Sequence, residues 1–583
     1  MAPNAAPAQS HRPLISAVNH VVAAGHYMAA QAGFQMLEAG GNAIDAGVAA
    51  GIATAVLEGV HVSFAGVAPI MIYLADTQKV TTISGLGTWP AAANAEYFRT
   101  RHGGKIPLGV ERTVVPAAPD AWITALEQFG TMSFADVAAP AIRFAAQGFP
   151  VYPHMAKIIR SYEAVIRSYP SSSAIYLPGG KPPEIGDVFV QSDLAATLTF
   201  LADQEKSGAA RGGRAQGFAA ARDAFYRGDI AERIVRFQEE QGGLLTASDL
   251  ATFRVGIEPP VRFSYGDAEI FTCGPWCQGP MLLQELSLLD PAELRSEAHN
   301  GPGYIHRLTE AIKLAAADRE RYYGDPRKVD VPLDALLSEA YARGRRALID
   351  PARAIDGMPE AGRVEGRPWG AQADSLRTRG IPIAADESTA DTSYLCAVDR
   401  QGNVFSATPS DGNGTSPVIP GTGFVASGRG SQSRTDAAHP SSIAPGKRPR
   451  LTPNPAIALF PGRAVMPFGT PGGDVQTQAM LQCLLNHVLF GMDLQSSVEA
   501  PRFATYSFPS SFYPNEYRPN VLALESRIAR RSGDSLAALG HEITWWPELA
   551  WEAGSVCMIR HDFKTGVKSG AADPRRTAYA VGW

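Results

Sequence analysis

Residues 391–408 read DTSYLCAVDRQGNVFSAT, where the texture of the sequence changes. Apolar and polar side chains alternate along TSYLCAVD (392–399) and again along NVFSAT (403–408), with Arg400-Gln401-Gly402 between them. A period of two on both sides of a glycine-containing turn predicts a hairpin of buried strands. Upstream, Ala352 to Ala390 is rich in Gly, Pro and charge and has no apolar period, so it reads as an exposed connector. Downstream, Pro409 to Arg450 runs for some forty residues almost without periodicity. Loops of that length inside compact domains are uncommon and usually functional. Asp391-Thr392 therefore marks the boundary between a connector and a buried strand, and a chain cut there would present its new N-terminus in a cleft.

Working outward, Pro455–Phe460 and Ala464–Phe468 predict two more strands, which lead into Gly469-Thr470-Pro471-Gly472-Gly473 and an apolar helix over Asp474–Met492. Backbone N–H groups at a helix N-terminus lack partners and are positively polarised, so Gly472 and Gly473 can hold an anion or a developing oxyanion. A plain tight turn accounts for them equally well. Toward the N-terminus, AAGHYMAAQAGFQMLEAG (23–40) predicts a helix that stops at Gly40-Gly41, and Asn42 and Asp45 can open a second, Ala-rich helix. Pro69–Ala75 and Lys79–Ser84 read as a strand pair, and a largely helical region spans about 120 to 350. Within it, EKSGAARGGRAQG (205–217) reads as a surface loop.

Composition excludes several classes of function. Lys and Arg total 52 against 57 Asp and Glu, a formal charge of −5, so no basic field exists to collect nucleic acid or anionic lipid. At 45% hydrophobic and 19% charged residues, the chain is an ordinary globular sequence and not a disordered one. The most apolar stretch, Ala46 to Ala75, is broken by Glu58, His61, Pro69 and several glycines, and falls short of a membrane span. The opening MAPNAAPAQSHRPLISA has neither a charged n-region nor an apolar h-region, so a cytoplasmic location is expected. The five cysteines form no CxxC pair and read as buried free thiols; no metal and no other cofactor is expected. There is no GxSxG elbow, no Walker loop and no HExxH, because His541-Glu542 has no second His four residues on.

Taken in order, LEAGGNAIDAGVA (37–49), VVPAAPDAW (114–122), GGLLTASDLATF (242–253), the 391–408 hairpin, PGTGF (420–424), PGKRP (445–449), GTPGGD (469–474), APRF (500–503) and GAADPRR (570–576) resemble the gamma-glutamyltranspeptidase family of N-terminal-nucleophile hydrolases. The resemblance implies an α/β fold, a four-layer αββα sandwich. It also implies a precursor that cuts itself before a threonine, giving a large alpha subunit, Met1–Asp391, and a small beta subunit, Thr392–Trp583. Together they would form one αββα domain, a heterodimer that can pair further into a dimer of heterodimers. In this reading the Thr392 hydroxyl attacks the Asp391 carbonyl, and hydrolysis of the resulting ester frees an α-amine. Such an amine has a pKa of about 7.7–8.0 and can itself take the hydroxyl proton during turnover. Ser410 falls where the family places a hydroxyl that orients the nucleophile, and the Gly472 and Gly473 amides would stabilise the oxyanion.

The pattern departs from the family at the substrate. An Arg that would hold a gamma-glutamyl α-carboxylate is replaced by Leu86 in ISGLGTWP (83–90), and the acidic residue that would hold the α-amine by Gln432 in GFVASGRGSQS (423–433), with Arg429 at a neighbouring polar contact. A Gln cannot neutralise a buried ammonium. Leu451-Thr452 replace paired serines, Tyr394 stands where His is usual, and the glycine-rich loop is thinned to Phe64–Ala68. Motifs for self-cleavage and amide attack thus persist while those for glutathione do not. This points to the divergent amidohydrolase and acylase branch, similar to oxamate amidohydrolases and cephalosporin acylases, acting on a small-molecule amide or N-acyl compound with water as acceptor. Arg429 would grip a carboxylate on the acyl side, with Trp276, Trp89 and Tyr394 walling the pocket and Gln432 and Thr452 contacting substrate. The alternatives are a gamma-glutamyl hydrolase or transpeptidase (glutathione hydrolase) and an unprocessed, non-catalytic homologue.

Overall fold

Asn42 accepts the amides of Ile44 and Asp45 while Asp45 accepts the amide of Asn42, so the Ala-rich segment opens on a capping box and runs as a helix over Ala43–Leu57. All of its residues are buried. In the computed structural model, which describes residues 10–366, 391–412, 414 and 416–583, this helix lies across the predicted hairpin. The hairpin strands, Leu395–Val398 and Val404–Ala407, pair in antiparallel register from Leu395 opposite Ala407 to Val398 opposite Val404.

They are the centre of a seven-stranded sheet whose order is Tyr579–Gly582, Val21–Ala24, Leu395–Val398, Val404–Ala407, Ile70–Leu74, Lys79–Ile83 and Ile257–Glu258. A second seven-stranded sheet runs Ile15–Ala17, Lys568–Ala572, Cys557–Asp562, Ala464–Gly469, Ala456–Phe460, Ala268–Thr272 and Val261–Tyr265. The alternation read from the sequence separates the two faces. Tyr394, Cys396 and Val398 join Ile457, Val465, Cys557 and Ile559 in an apolar layer between the sheets. Leu395 and Ala397 point the other way, into helices Tyr27–Glu38, Ala43–Leu57, Ala118–Phe129 and Phe134–Gln147. Helices Gly279–Ser287, Pro302–Tyr322 and Gln476–Val488 cover the outer face of the second sheet. The layers are αββα, as the family resemblance implies.

Three local expectations are corrected. Residues 205–217 are helical, inside Ser192–Tyr226, and the helix breaks only at Gly212 and Gly213. The chain doubles back there so closely that a Cβ on Gly208 would meet the Cα of Gly217 at 3.1 Å. Small residues without an apolar period conceal two helical arms, and Arg214 ties the turn down by donating to the carbonyls of Leu126, Gly130 and Met132. The described part of the connector is pinned, not free: Ile355, Gly357, Met358 and Gly362 donate their amides to Glu310, Asn520, Tyr517 and Asp318. Residues 367–390 lie outside the described residues. The helix expected over Asp474–Met492 begins as a 3-10 turn, Gly473–Val475, and ends at Val488. All five cysteines are free and buried. Among the described residues no helix is long and apolar enough to cross a membrane.

Burial holds five histidines neutral, pushing the pKa down to about 4 for His26, His439 and His561 and to about 3 for His154 and His541. Unfolded, each protonates near 6.5, so below that pH the unfolded chain binds more protons and stability is lost at about 1.4 kcal/mol per pH unit per histidine. Buried Glu58, Glu285 and Asp391, pushed up to about 7, about 8 and about 6, act in the opposite direction because the folded state keeps protons that the unfolded state releases. Five groups outweigh three. The melting temperature should fall between pH 6.5 and 4.5, and calorimetry showing a constant or rising value would contradict this.

Candidate active site

The hairpin register also places the site. Ser393 donates its amide to the Pro409 carbonyl at 3.0 Å, which extends the ladder and brings Thr392 opposite Ser410. The hydroxyls of Thr392 and Ser410 lie 2.8 Å apart and both are buried. Both also donate to the carbonyl oxygen of Asp391, Ser410 at 2.5 Å. Ser410 and Asp411 are seated against the strand Val62–Val67, so closely that a Cβ on Gly66 would overlap the Ser410 carbonyl. The thinned glycine loop therefore retains its glycine where the backbones touch. Asp411 itself has φ 91°, a conformation that non-glycine residues adopt only under constraint.

Arg429 enters from the 3-10 turn Arg429–Gln432, with its side chain buried. Its Nη2 donates to the Asp391 carbonyl at 3.1 Å and to the Ser410 hydroxyl, and it pairs with the Asp391 carboxylate at 3.0 Å. Its Nε faces Asp411 at 3.1 Å, and Ser427 donates to Asp411 at 2.6 Å. Two carboxylates thus share one guanidinium. Burial pushes Asp391 up to about 6, Arg429 pulls it back and the neighbouring Asp411 pushes it up again; burial raises Asp411 as well. On the helix side, Ser393 bonds Glu58, which burial drives up to about 7 against the pull of Ser393 and Arg576.

Alternation puts Thr392 on the same face as Tyr394, toward the second sheet. The strand Ala464–Gly469 of that sheet runs past the Tyr394 ring into the glycine turn. Gly472 (φ 131°) caps the 3-10 turn that Gly473 (φ 57°) opens, so their amides are among the first-turn donors that no intrahelical carbonyl can reach. Gln278 fixes the turn by donating to the carbonyls of Gly473 at 2.8 Å and Thr452 at 3.0 Å. Gln432 donates to the Thr452 hydroxyl at 2.8 Å and accepts its amide at 3.2 Å, so these two predicted residues are joined to each other.

Phe512 links the halves of the site. Its ring lies 5.4 Å from the Arg429 guanidinium and 3.4 Å from where a Cβ of Gly473 would stand. Asp474, which accepts the Ser511 amide at 2.7 Å and is paired with Arg319 at 2.5 Å, sets its position. Neither Phe512 nor Asp411 was singled out in the sequence. Phe512 lies in SFPSSFYP, which carries no period, and the one available signal for Asp411 was an Asp tolerating positive φ beside Gly412.

The aromatic residues expected in the pocket wall are placed as follows. Tyr394 is buried between the sheets, its hydroxyl bonded to Ser406 at 2.7 Å. Trp276 is buried in the same layer as Leu86, its indole donating to Glu258 at 2.7 Å under the Arg448 guanidinium. Trp89 packs behind the Arg429–Gln432 turn, against Gly430, and donates to Ser433 at 3.0 Å. Thr392, Asp391, Ser410 and Arg429 are brought into contact, and Tyr394 and Trp276 are buried in the layer between the sheets.

Among the described residues, the His, Cys, Asp and Glu side chains close enough to hold a metal ion are His306, Glu310 and His541, in the outer helix layer. Their atoms are already engaged. The two imidazoles bond each other at 2.9 Å, His306 reaches the Asp350 carbonyl at 2.8 Å, and Glu310 accepts Lys313 and the Ile355 amide.

Residues 29–583 match the gamma-glutamyltranspeptidase family. The chain is 32% identical to the acylase ACY 1 proenzyme of Pseudomonas sp. (strain SE83), with 96% of this chain and 94% of that protein covered. It is 30% identical to the glutathione hydrolase proenzyme of Bacillus subtilis (strain 168), over 96% and 91%. The crystal structure of cephalosporin acylase from Bacillus halodurans superposes with a TM-score of 0.83 at 28% identity, covering 100% of this chain and 99% of that one. Both the order of motifs and the αββα layers are thereby accounted for: this chain belongs to the gamma-glutamyltranspeptidase family.

Proposed function

We propose that the chain is an amidohydrolase of the acylase type that cuts itself between Asp391 and Thr392 and then uses Thr392 as its nucleophile. Family membership and relatives named acylase and glutathione hydrolase make it a hydrolase of amide C–N bonds, and their naming as proenzymes fits self-processing. The observation that carries the reading is the Thr392 hydroxyl held between the Ser410 hydroxyl and the carbonyl that precedes it. Cleavage there yields subunits Met1–Asp391 and Thr392–Trp583. The freed α-amine of Thr392 takes the hydroxyl proton as Oγ1 attacks the substrate carbonyl. The Gly472 and Gly473 amides receive the oxyanion, and water releases the acyl group.

Two observations favour a small acyl substrate over a gamma-glutamyl donor. Leu86 is buried in apolar surroundings where an arginine would be needed, and both ends of the Gln432 amide are occupied by Thr452. A panel of simple N-acyl anilides beside gamma-glutamyl anilide tests this. Hydrolysis of the simple amides is expected, whereas faster turnover of the gamma-glutamyl compound would overturn the acylase reading. In the same reading the enzyme works in the cytoplasm, where five unpaired thiols are stable.

The glycine turn gives a separate prediction. A side chain at Gly472 must adopt φ 131°, a strain of about 1–3 kcal/mol that shifts the amide. In Gly472→Ala, turnover per cleaved molecule should fall about 10²-fold, the scale of losing one oxyanion donor. Unchanged kcat in the two-subunit form would remove the turn from the mechanism.

A further inference from the structure

Before cleavage the enzyme lacks the base it uses afterwards, because the nitrogen of Thr392 is still an amide. Something else must handle the nucleophile's proton and the charge on the Asp391 carbonyl. We infer that Arg429 is a catalytic residue of self-cleavage, forming with Ser410 a hydrogen-bonding cradle that polarises the scissile carbonyl and is distinct from the Gly472-Gly473 turn. This rests on the self-cleavage reading above and goes beyond it.

The geometry is already assembled. Nη2 of Arg429 donates to the scissile oxygen at 3.1 Å, and Ser410 donates to the same oxygen at 2.5 Å. Ser410 also lies 2.8 Å from the attacking hydroxyl. As Thr392 Oγ1 bonds to the Asp391 carbonyl carbon, its proton passes to Ser410 Oγ while the Ser410 proton passes to the carbonyl oxygen. The tetrahedral adduct is therefore neutral overall and hydrogen-bonded to Arg429. Collapse breaks the C–N bond, returns a proton to the departing nitrogen and leaves an ester between Asp391 and Thr392. One water then adds across that ester, giving the Asp391 carboxylic acid and the free Thr392 hydroxyl and amine.

Arg429 also has the surroundings of a group held for a purpose. It is 1% exposed, Asp411 holds one side of it, and Nη1 is buried without a hydrogen-bond partner among the described residues. A guanidinium can serve the carbonyl, the carboxylate and the serine from one rigid fork, which an ammonium cannot.

The test is the rate at which full-length chain converts to two fragments, followed by intact mass on freshly made protein. Arg429→Lys should slow conversion at least about 10-fold, and Arg429→Gln about 10²-fold or more. Removing the arginine also strands the Asp411 charge, so the deciding variant is the double substitution Arg429→Gln with Asp411→Asn. If the arginine acts on the carbonyl, the double variant stays slow; conversion within about threefold of wild type would overturn the inference. Melting curves compared with uncleaved Thr392→Ala identify a variant that has failed to fold, and in that case Arg429→Lys decides, wild-type conversion again counting against the inference. A wild type that never converts would instead remove the self-cleavage reading itself.

Discussion

Thr392→Ala is expected to remain a single chain of 583 residues and to hydrolyse no amide above about 10⁻⁴ of the wild-type rate. Both losses have one cause. The hydroxyl that lies against the Asp391 carbonyl in the uncut chain is the same atom that would later attack substrate, and the α-amine that would activate it is created only by the first reaction. The fold should survive, because alanine keeps the backbone amide and Cβ at a buried position and removes only a hydroxyl and a methyl. Thr392→Ser supplies the contrast. It keeps the nucleophile without the methyl, so it should still cut and still turn over, each more slowly. Full turnover by an uncut Thr392→Ala chain would show that the chemistry lies elsewhere.

The second large effect is on stability. Glu320, at the end of the helix Pro302–Tyr322 and fully buried, accepts Arg450 and Arg319 on one oxygen and Arg434 on the other at 2.9 Å, with His439 at 3.4 Å. Burial alone would raise its pKa, but Arg450 and Arg434 outweigh it and hold the carboxyl well below the ordinary range. Arg434 and Arg450 bracket the loop 435–449, which begins just after Arg429 and Gln432 and ends just before Thr452. In Glu320→Gln, Arg319 keeps Asp474, whereas Arg434 and Arg450 lose their charged partner inside the protein. Breaking a buried pair in this way costs about 3–5 kcal/mol. The urea midpoint should drop accordingly and self-cleavage should slow, because the loop holding Arg429 loosens. The exposed pair Arg463 and Asp267 is the control, since Asp267→Asn should leave the midpoint nearly unchanged. Equal effects from the two substitutions would mean that the Glu320 cluster does not organise the loop.

Local patterns gave single elements, the hairpin from the period of two in 392–408 and the helices from the Asn42 and Asp45 cap and the terminating glycines, whereas the αββα layers came from the resemblance that the ordered motifs carry. The pairing of Thr392 with Ser410 was implicit in the same hairpin once its register was known. What escaped the sequence depends on segments distant along the chain. Glu320 gathers arginines from positions 319, 434 and 450, and Phe512 reaches the site because Asp474 holds Ser511. No period or spacing encodes such contacts. Residues 205–217 misled for the opposite reason, since Gly, Ala and Ser carry no hydrophobic pattern although their small size is what lets two helical arms touch. Tyr394 and Trp276, expected as pocket walls, are buried in the layer between the sheets, the side that Thr392 also faces.

The intact mass of purified wild-type protein, taken over time, shows whether the chain cuts itself before Thr392. Two fragments are expected, with masses corresponding to Met1–Asp391 and Thr392–Trp583 and threonine as the first residue of the smaller. A chain that stays whole on prolonged incubation, or that divides at any other bond, would contradict it.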